Sequence, residues 1–143
     1  MSFVVIACGG RTYTDVTMVK AVFDSIHAVT PITLMVEGGQ TGADRLAEMW
    51  AIKNGVRFKR ERADWKRHGN KLAGPIRNKK MLDDYDPDLV VCFPGGNGTR
   101  NMRMQAQAAS ETARGLGLKS VKLIVVGAEW KSERAKHGEA VEA

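Results

Sequence analysis

Short apolar runs alternate along this chain with longer stretches whose apolar residues recur at helical spacing. The runs predict five strands, of which the third is the most polar, at residues 3–8, 33–36, 56–59, 88–93 and 121–126. The stretches between them predict helices at residues 16–28, 43–54, 75–85 and 99–116. Regular alternation of strand and helix is typical of a parallel sheet with helices on both faces. We therefore predict an α/β fold, a Rossmann-like three-layer sandwich with a mainly parallel five-stranded sheet.

The size and composition of the chain fit one compact domain. Its 143 residues are 43% hydrophobic and 27% charged, a composition that favours a packed core over disorder. We assign residues 1–127 to a single domain and residues 128–143 to a polar C-terminal tail or short helix. No apolar run approaches the roughly 20 residues that cross a bilayer, and the first residues lack a signal-peptide pattern, so we expect a cytoplasmic protein without membrane contact. Cys8 and Cys92 each end an apolar run, which predicts reduced core thiols.

The positive charge of the chain is concentrated in one segment. The whole chain has 22 basic and 16 acidic side chains, a net charge of +6, whereas residues 53–80 alone have 11 basic and 2 acidic ones, a net charge of +9. Such a segment attracts the phosphate of a nucleotide or a nucleic acid, because lysine and arginine pair with phosphate oxygens. A solvated basic face has the same composition, so charge alone leaves both interpretations open.

Three of the predicted strands run into turns that contain a glycine pair and lead towards a helix. We call them the first turn (residues 9–13), the second turn (residues 37–44) and the third turn (residues 94–99). The candidate ligand-binding residues of these turns are Gly9, Gly10, Arg11, Thr12 and Tyr13, then Glu37, Gly38, Gly39, Thr41, Gly42 and Asp44, and finally Pro94, Gly95, Gly96, Asn97, Gly98 and Thr99.

The position of the glycine pairs favours anion binding. The C-terminal ends of parallel strands lie on one edge of a sheet, so we expect the three turns to meet there. Glycine lets an anion approach the backbone, and the unpaired amides at the start of the following helix favour phosphate. The hydroxyls of Thr41 and Thr99 are additional donors. Tight turns also use glycine for steric reasons alone, but three matched pairs beside a basic segment lead us to predict a phosphate-bearing ligand.

At these residues the sequence resembles the SLOG superfamily, the Rossmann-like group that includes the Lonely Guy phosphoribohydrolases, the DprA-type DNA-processing proteins and the molybdenum-cofactor carrier proteins. Within it, the order of motifs is similar to that of the YspA-type, cpYpsA-related branch found in bacteria and phages: GGRTYTD, EGGQTGADRLAEMWA, ADW, AGPIRNKKML and PDLVVCFPGGNGT. The resemblance covers most of the chain, from residue 4 to about residue 104. It implies a Rossmann-like fold, a nucleotide-like ligand and a homodimer or higher homo-oligomer, but it does not fix a reaction.

The similarity to the Lonely Guy enzymes is incomplete at a catalytic position. Those enzymes release ribose 5-phosphate from a nucleoside monophosphate, and a PGGxGTxxE motif supplies their phosphate-binding glycines and a catalytic glutamate. Here the third turn matches the glycines and Arg77 matches an assisting arginine, but Met102 stands at the glutamate position. A thioether does not act as an acid or a base. The resemblance therefore implies ligand binding and leaves hydrolysis dependent on another carboxylate.

Two acids of the second turn are candidates for that carboxylate. If the protein is an enzyme, we expect Glu37, Asp44 and Arg77 to be its catalytic residues. Glu37 ends an apolar strand and needs a partner, for which Arg11 and Arg77 are candidates. Asp44 begins a predicted helix, where it either complements the helix dipole or accepts a hydrogen bond from a ribose hydroxyl.

Further side chains have two interpretations each. Arg77 and Asn78 lie in the basic segment, where exposure is the default, although the motif match favours clamping of a phosphate by Arg77. Tyr13 stacks on a base or contacts the helix start, and Trp65 covers a base or packs beneath a loop. The three histidines lack ligand spacing, and we predict no metal site and no cofactor.

The preferred functional hypothesis is binding of a nucleotide or an ADP-ribose-related small molecule through the three turns, by a sensor, carrier or sequestering protein. The first alternative is an N-glycosidase or phosphoribohydrolase acting on a nucleoside phosphate. The second alternative is binding of single-stranded nucleic acid, which the basic segment favours and the aromatic content of 6% disfavours.

Overall fold

The structure is a computed structural model that describes residues 1–127, so the predicted tail at residues 128–143 lies outside the described residues. Strands and helices alternate strictly along the described chain. The strands are β1 (Val4–Cys8), β2 (Leu34–Glu37), β3 (Arg57–Arg60), β4 (Leu89–Cys92) and β5 (Lys122–Val125). The helices are α1 (Val16–Val29), α2 (Ala43–Lys53), α3 (Trp65–Tyr85) and α4 (Asn97–Gly115).

The five strands form one parallel sheet in the order β3-β2-β1-β4-β5. The central strand β1 pairs with β2 on one side and with β4 on the other, so that Ile6 lies opposite both Val36 and Val90. The direction in which the chain builds the sheet reverses between β1 and β4, and in open α/β sheets this switch point opens a crevice at the C-terminal ends of the strands. The Rossmann-like α/β prediction is confirmed.

Two apolar layers hold the sheet between its helices, because successive strand residues point to opposite faces. On one face, Val5 and Ala7 of β1 belong to a buried cluster that includes apolar residues of α1 and α2. On the other face, Ile6 and Cys8 belong to a cluster with apolar residues of α3 and α4. The helices thereby fix the turns that connect them to the strands, and Met102 of α4 is fully buried in the second cluster.

The predicted start of α3 is wrong. We expected this helix at residues 75–85, but it begins at Trp65 and is interrupted at Gly69, whose φ of 77° is not helical. Gly69, Gly74 and Pro75 are residue types that normally interrupt helices, and they concealed the first half of α3 in the sequence. The other observed boundaries differ from the predicted ones by at most two residues.

The two cysteines lie side by side in the core. Cys8 of β1 and Cys92 of β4 are register partners, and their Sγ atoms are 3.1 Å apart as free thiols. The hydrogen bond with the Cys92 thiol, together with burial, raises the pKa of Cys8, which keeps this side chain in the neutral form. Within residues 1–127, no helix has the length and apolar character needed to cross a membrane.

Candidate ligand-binding site

A cavity of about 620 Å³ lies at the C-terminal edge of the sheet, where the three turns meet. Each turn contributes to its wall, as expected from the parallel arrangement of β1, β2 and β4. Helix α3 forms another part of the wall on both sides of its interruption. The turn residues that line the cavity are Gly9, Gly10 and Arg11, then Gly38, Gln40 and Asp44, and finally Gly96, Asn97, Gly98 and Thr99. The lining residues from α3 include Trp65, Asn70, Lys71, Arg77 and Asn78.

Several predicted site residues lie outside the cavity wall and stabilise the turns. The Tyr13 ring packs on Phe93 with centroids 5.5 Å apart, and burial raises the pKa of its phenol to about 12. The Thr41 hydroxyl donates to the Arg11 carbonyl at 3.1 Å, and the Pro94 carbonyl accepts from the Gly10 amide at 2.9 Å. Also outside the cavity wall are Thr12, Glu37, Gly39, Gly42 and Gly95.

Most of the turn glycines are required by close packing of the turns. A Cβ at Gly9 would collide with Ala43 and Phe93, one at Gly42 with the Gly10 carbonyl, and one at Gly95 with the first turn. Gly96 and Gly98 differ, because no described heavy atom lies within 4 Å of a Cβ built at either position, and both line the cavity. These two glycines are therefore the ones that leave space for a ligand.

The start of α4 offers unpaired amides to the cavity. The first backbone bond of this helix runs from the Arg100 amide to the Gly96 carbonyl at 3.0 Å, so the amides of Asn97, Gly98 and Thr99 have no carbonyl partner within the helix. Gly96 is the N-cap and supplies no side-chain oxygen in their place. The positive end of the helix dipole lies at the same point, and an anion is favoured there.

The second turn has the opposite character, because its amides already bind acids of the chain. The Gly39 amide donates to Glu37 Oε1 at 2.5 Å, and the Gln40 amide donates to Asp44 Oδ2 at 3.3 Å. The Gly38 backbone also lies close enough to the Asp44 carboxylate to lower its pKa. The second turn therefore presents Asp44 to the cavity, whereas free amides come from the third turn.

Two arginines flank the cavity. Arg77 donates through Nη1 to the Gly38 carbonyl at 3.0 Å and to the Glu61 carbonyl at 3.4 Å. Arg11 donates through Nε to Gln40 Oε1 at 2.8 Å, and its guanidinium lies over the Trp65 ring at 5.2 Å from the centroid. The resulting cation–π contact places an aromatic ring and a positive charge together at the cavity wall.

Asn78 links Arg77 to the third turn and is 3% exposed. Its Oδ1 accepts from Arg77 Nε at 3.0 Å, while its Nδ2 donates to the Gly98 carbonyl at 3.2 Å and to Asn101 Oδ1 at 3.1 Å. Asn78 therefore orients the guanidinium of Arg77 and at the same time fixes the N-terminal end of α4. The motif match had indicated Arg77 more strongly than Asn78, and the side-chain network shows that the two act as a unit.

The acids beside the cavity have unusual protonation properties. Asp44 is 5% exposed, and burial raises its pKa to about 6 against the opposing effects of the Gln40 amide and the Arg77 charge. Glu37 is fully buried, and burial together with the Asp44 charge raises its pKa to about 8. The expectation that Arg11 or Arg77 pairs with Glu37 is wrong, because the hydrogen bonds of the two guanidinium groups go to Gln40, Asn78 and backbone carbonyls.

Sequence reasoning missed part of the wall. Gln40 lies within the second turn but was not selected, and Asn70, Lys71 and Gly74 were missed because α3 was expected to begin after them. The ADW motif was the available signal for this region, since Asp64 caps α3 by accepting from the Arg67 amide at 3.1 Å. Among the described residues, no group of three or more His, Cys, Asp or Glu side chains is placed to hold a metal ion.

Comparison with known proteins connects this geometry to a family. Residues 3–68 match the model of the YspA, cpYpsA-related SLOG family. The chain is also 37% identical over 113 residues to the Gene 61 protein of Mycobacterium phage D29, an overlap of 73% of this chain and 89% of the phage protein. The chain belongs to the YspA, cpYpsA-related SLOG family. The family match spans the first and second turns, whereas the third turn and its free amides lie beyond residue 68.

The two kinds of turn glycine make a testable distinction. Gly42→Ala should lower the free energy of unfolding by about 1–3 kcal/mol, because its φ of 79° is unfavourable for alanine and the new Cβ collides with the Gly10 carbonyl. Gly98→Ala should change it by less than about 1 kcal/mol and in the stabilising direction, since alanine favours a helix and the space is open. Urea unfolding followed by circular dichroism measures both, and equal losses would show that Gly98 is also held by packing.

Proposed function

We propose that this SLOG protein binds a nucleotide or an ADP-ribose-related small molecule in the cavity, as a sensor, carrier or sequestering protein. The observation that carries the proposal is the set of free amides at Asn97, Gly98 and Thr99 beside the guanidinium of Arg77 in one cavity. Family membership supports a nucleotide-related ligand without naming it. The cavity volume of about 620 Å³ is also within the range of small-molecule sites.

The phosphate is assigned to the start of α4. Its oxygens would accept from the three free amides, and Gly96 and Gly98 leave the space that close approach to the backbone needs. Lys71 and Arg11 line the same cavity and add positive charge. The site thus combines a directional set of donors with a favourable field, which a basic surface alone lacks.

The sugar and base are assigned to the opposite part of the wall. Asp44 keeps a carboxylate at the cavity while its other contacts are made to the second turn, and such an acid accepts hydrogen bonds from ribose hydroxyls. Trp65 is 36% exposed, so its ring is available to a base in addition to Arg11. The ligand is therefore expected to carry hydroxyl groups as well as phosphate.

Gly98→Val tests the proposal directly. Isothermal titration with adenosine monophosphate and ADP-ribose should show binding to the wild type and at least a tenfold loss in the variant, because the added methyls occupy the space next to the free amides. Gly115→Val is the matched control, since Gly115 lies at the far end of α4 and also has no described atom within 4 Å of a built Cβ. Adenosine without phosphate should bind at least tenfold more weakly than its monophosphate.

Two outcomes would contradict the proposal. Equal affinity of the wild type and Gly98→Val would place the ligand elsewhere. Failure of both nucleotides to bind would refute the proposed function. A single-stranded oligonucleotide that binds far more tightly with length, and whose binding weakens steeply with salt, would instead favour the nucleic-acid alternative. The structure gives the nucleic-acid alternative less support than the sequence did, because Arg60, Lys79 and Lys80 of the basic segment pair with neighbouring acids.

Hydrolysis of the bound nucleotide is the second candidate function, and Asp44 is the observation that favours it. Asp44 is the acid whose carboxylate lines the cavity, whereas Glu37 lies behind the second turn and Met102 is buried in the core. If Asp44 acts as a general base or stabilises a cationic sugar, the rate at which the nucleobase is released should rise with pH through about 6, as the Asp44 carboxyl ionises. Asp44→Asn should abolish the release of adenine from adenosine monophosphate measured by chromatography. Intact nucleotide after long incubation with the wild type would leave binding as the function.

Self-association stays a prediction that follows from the family resemblance. Met104 is 61% exposed and lies two residues after the buried Met102, so α4 has an apolar side chain on its outer face. Leu72 and Ile76 of α3 are exposed as well. These side chains are compatible with a homodimer contact.

A further inference from the structure

The carboxyl group of Glu37 has an unsatisfied oxygen in the protein interior. The side chain is fully buried at the end of β2, directly before the cavity-lining Gly38. Its Oε1 accepts from the Gly39 amide at 2.5 Å, but Oε2 is buried and has no hydrogen-bond partner among the described residues. A buried carboxylate oxygen without a donor is strongly unfavourable. The contacts of Glu37 therefore do not fit an ordinary ionised carboxylate.

Two of the side chains that act on Glu37 are themselves acids. The Glu48 side chain of α2 lies within hydrogen-bonding reach of Glu37, and Asp44 of the same helix acts on Glu37 through its charge. Glu48 is fixed by Arg60 of β3, whose Nη2 donates to Glu48 Oε2 at 2.7 Å and whose Nε binds the other oxygen. Two carboxylates form no hydrogen bond with each other unless one of them carries a proton.

The positive groups around Glu37 are engaged elsewhere. Arg60 is the register partner of Glu37 across β2 and β3, but its guanidinium binds Glu48. Arg77 of α3 feels the charge of Glu37, yet its donors bind Asn78 and two backbone carbonyls. On β1, Cys8 is a neutral thiol. An ionised Glu37 would thus add a third negative charge beside Asp44 and Glu48 without a cation of its own.

We infer that Glu37 is a neutral carboxylic acid in the folded protein at neutral pH, that it donates its proton to Glu48, and that this buried proton is coupled to anion binding in the cavity. Protonation turns the unsatisfied Oε2 into a donor and Glu48 into its acceptor. The Gly39 amide still donates to Oε1, so every polar atom of the Glu37 side chain then has a partner. The proton belongs to the fold and does not depend on the proposed function, whereas its coupling to a ligand does.

The position of Glu37 explains the coupling. Glu37 holds the Gly39 amide and precedes Gly38, so its ionisation would place a negative charge behind the second turn, which lines the same cavity as the α4 amides assigned to the phosphate. Burial and the charges of Asp44 and Glu48 raise the pKa of Glu37 to about 8, so this ionisation falls in mildly alkaline solution. By linkage, an anion that binds more weakly to the ionised form must also favour uptake of the proton.

The proton can be tested without a ligand by comparing Glu37→Gln with the wild type. A group whose pKa is raised in the folded state contributes stability below its unfolded pKa, and this contribution is lost as pH rises through the folded pKa. The melting temperature of the wild type should therefore fall relative to that of Glu37→Gln between about pH 4.5 and pH 8, and the difference should level off above pH 8. Glutamine keeps a donor for Glu48 at all pH values.

Glu61→Gln is the control of opposite sign. Hydrogen bonds from Tyr85 and Lys80 lower the pKa of Glu61, so its contribution is present above the unfolded pKa and disappears as pH falls. A melting-temperature difference between Glu37→Gln and the wild type that stays constant from pH 5 to pH 9.5 would overturn the inference. If Glu37→Gln does not fold, carbon-13 titration of the Glu37 carboxyl in the wild type decides, and a midpoint in the ordinary glutamate range would overturn it.

The coupling is tested by titrating adenosine monophosphate into both proteins between pH 7.5 and pH 9.5. The ligand phosphate is fully ionised throughout this range, because its second pKa is about 6. The affinity of the wild type should fall several-fold as pH rises through about 8, whereas that of Glu37→Gln should change little. Parallel pH profiles in the two proteins would overturn the coupling. Absence of binding in both would overturn the coupling and the proposed function, while the ligand-free melting curves would still decide whether the proton exists.

Discussion

The backbone of Gly10 is the point on which the site depends. Its amide donates to the Pro94 carbonyl at 2.9 Å, and its carbonyl accepts from the Ala43 amide at 3.1 Å and the Tyr13 amide at 3.2 Å. One residue thus ties the first turn to the third turn and to the start of α2. These contacts join the turns across the switch point, where β2 and β4 lie on opposite sides of β1. A side chain at Gly10 would press on the Pro94 carbonyl and the Gly95 backbone, so the junction favours glycine.

The same residue type has two physical roles in this junction. Glycines at the contacts between turns allow backbones to approach, and they would be required with or without a ligand. Gly96 and Gly98 have no described neighbour to accommodate, and their open space lies next to free amides. The second turn differs from the start of α4, because its amides already donate hydrogen bonds to Glu37 and Asp44. The cavity is therefore polarised, with donors at α4 and an acid at α2, and this favours a ligand that has both phosphate and hydroxyl groups.

The sequence allowed the fold and the meeting of the three turns at one cavity to be predicted, because both follow from local patterns. Buried parallel strands are continuous apolar runs, and the parallel arrangement places their C-terminal ends on one edge. The first half of α3 escaped prediction because Gly69, Gly74 and Pro75 oppose a helix locally, whereas the structure starts the helix at Trp65 behind the Asp64 cap. The state of Glu37 was also out of reach. It depends on Glu48 and Arg60, which the fold brings to Glu37 across 11 and 23 positions of the chain.

The burial of Met102 separates the proposed ligand binding from the Lonely Guy type of chemistry. Met102 is fully buried in the same cluster as Ile6 and Met81, so a glutamate there would be a charge placed in an apolar layer. The proposed anion site does not need that position, since its donors are backbone amides fixed by the start of α4 and by Asn78. In this proposal, phosphate recognition depends on main-chain geometry, whereas catalysis would depend on one side chain. The two properties are therefore separable, and Asp44 is the acid that the second turn contributes to the cavity lining.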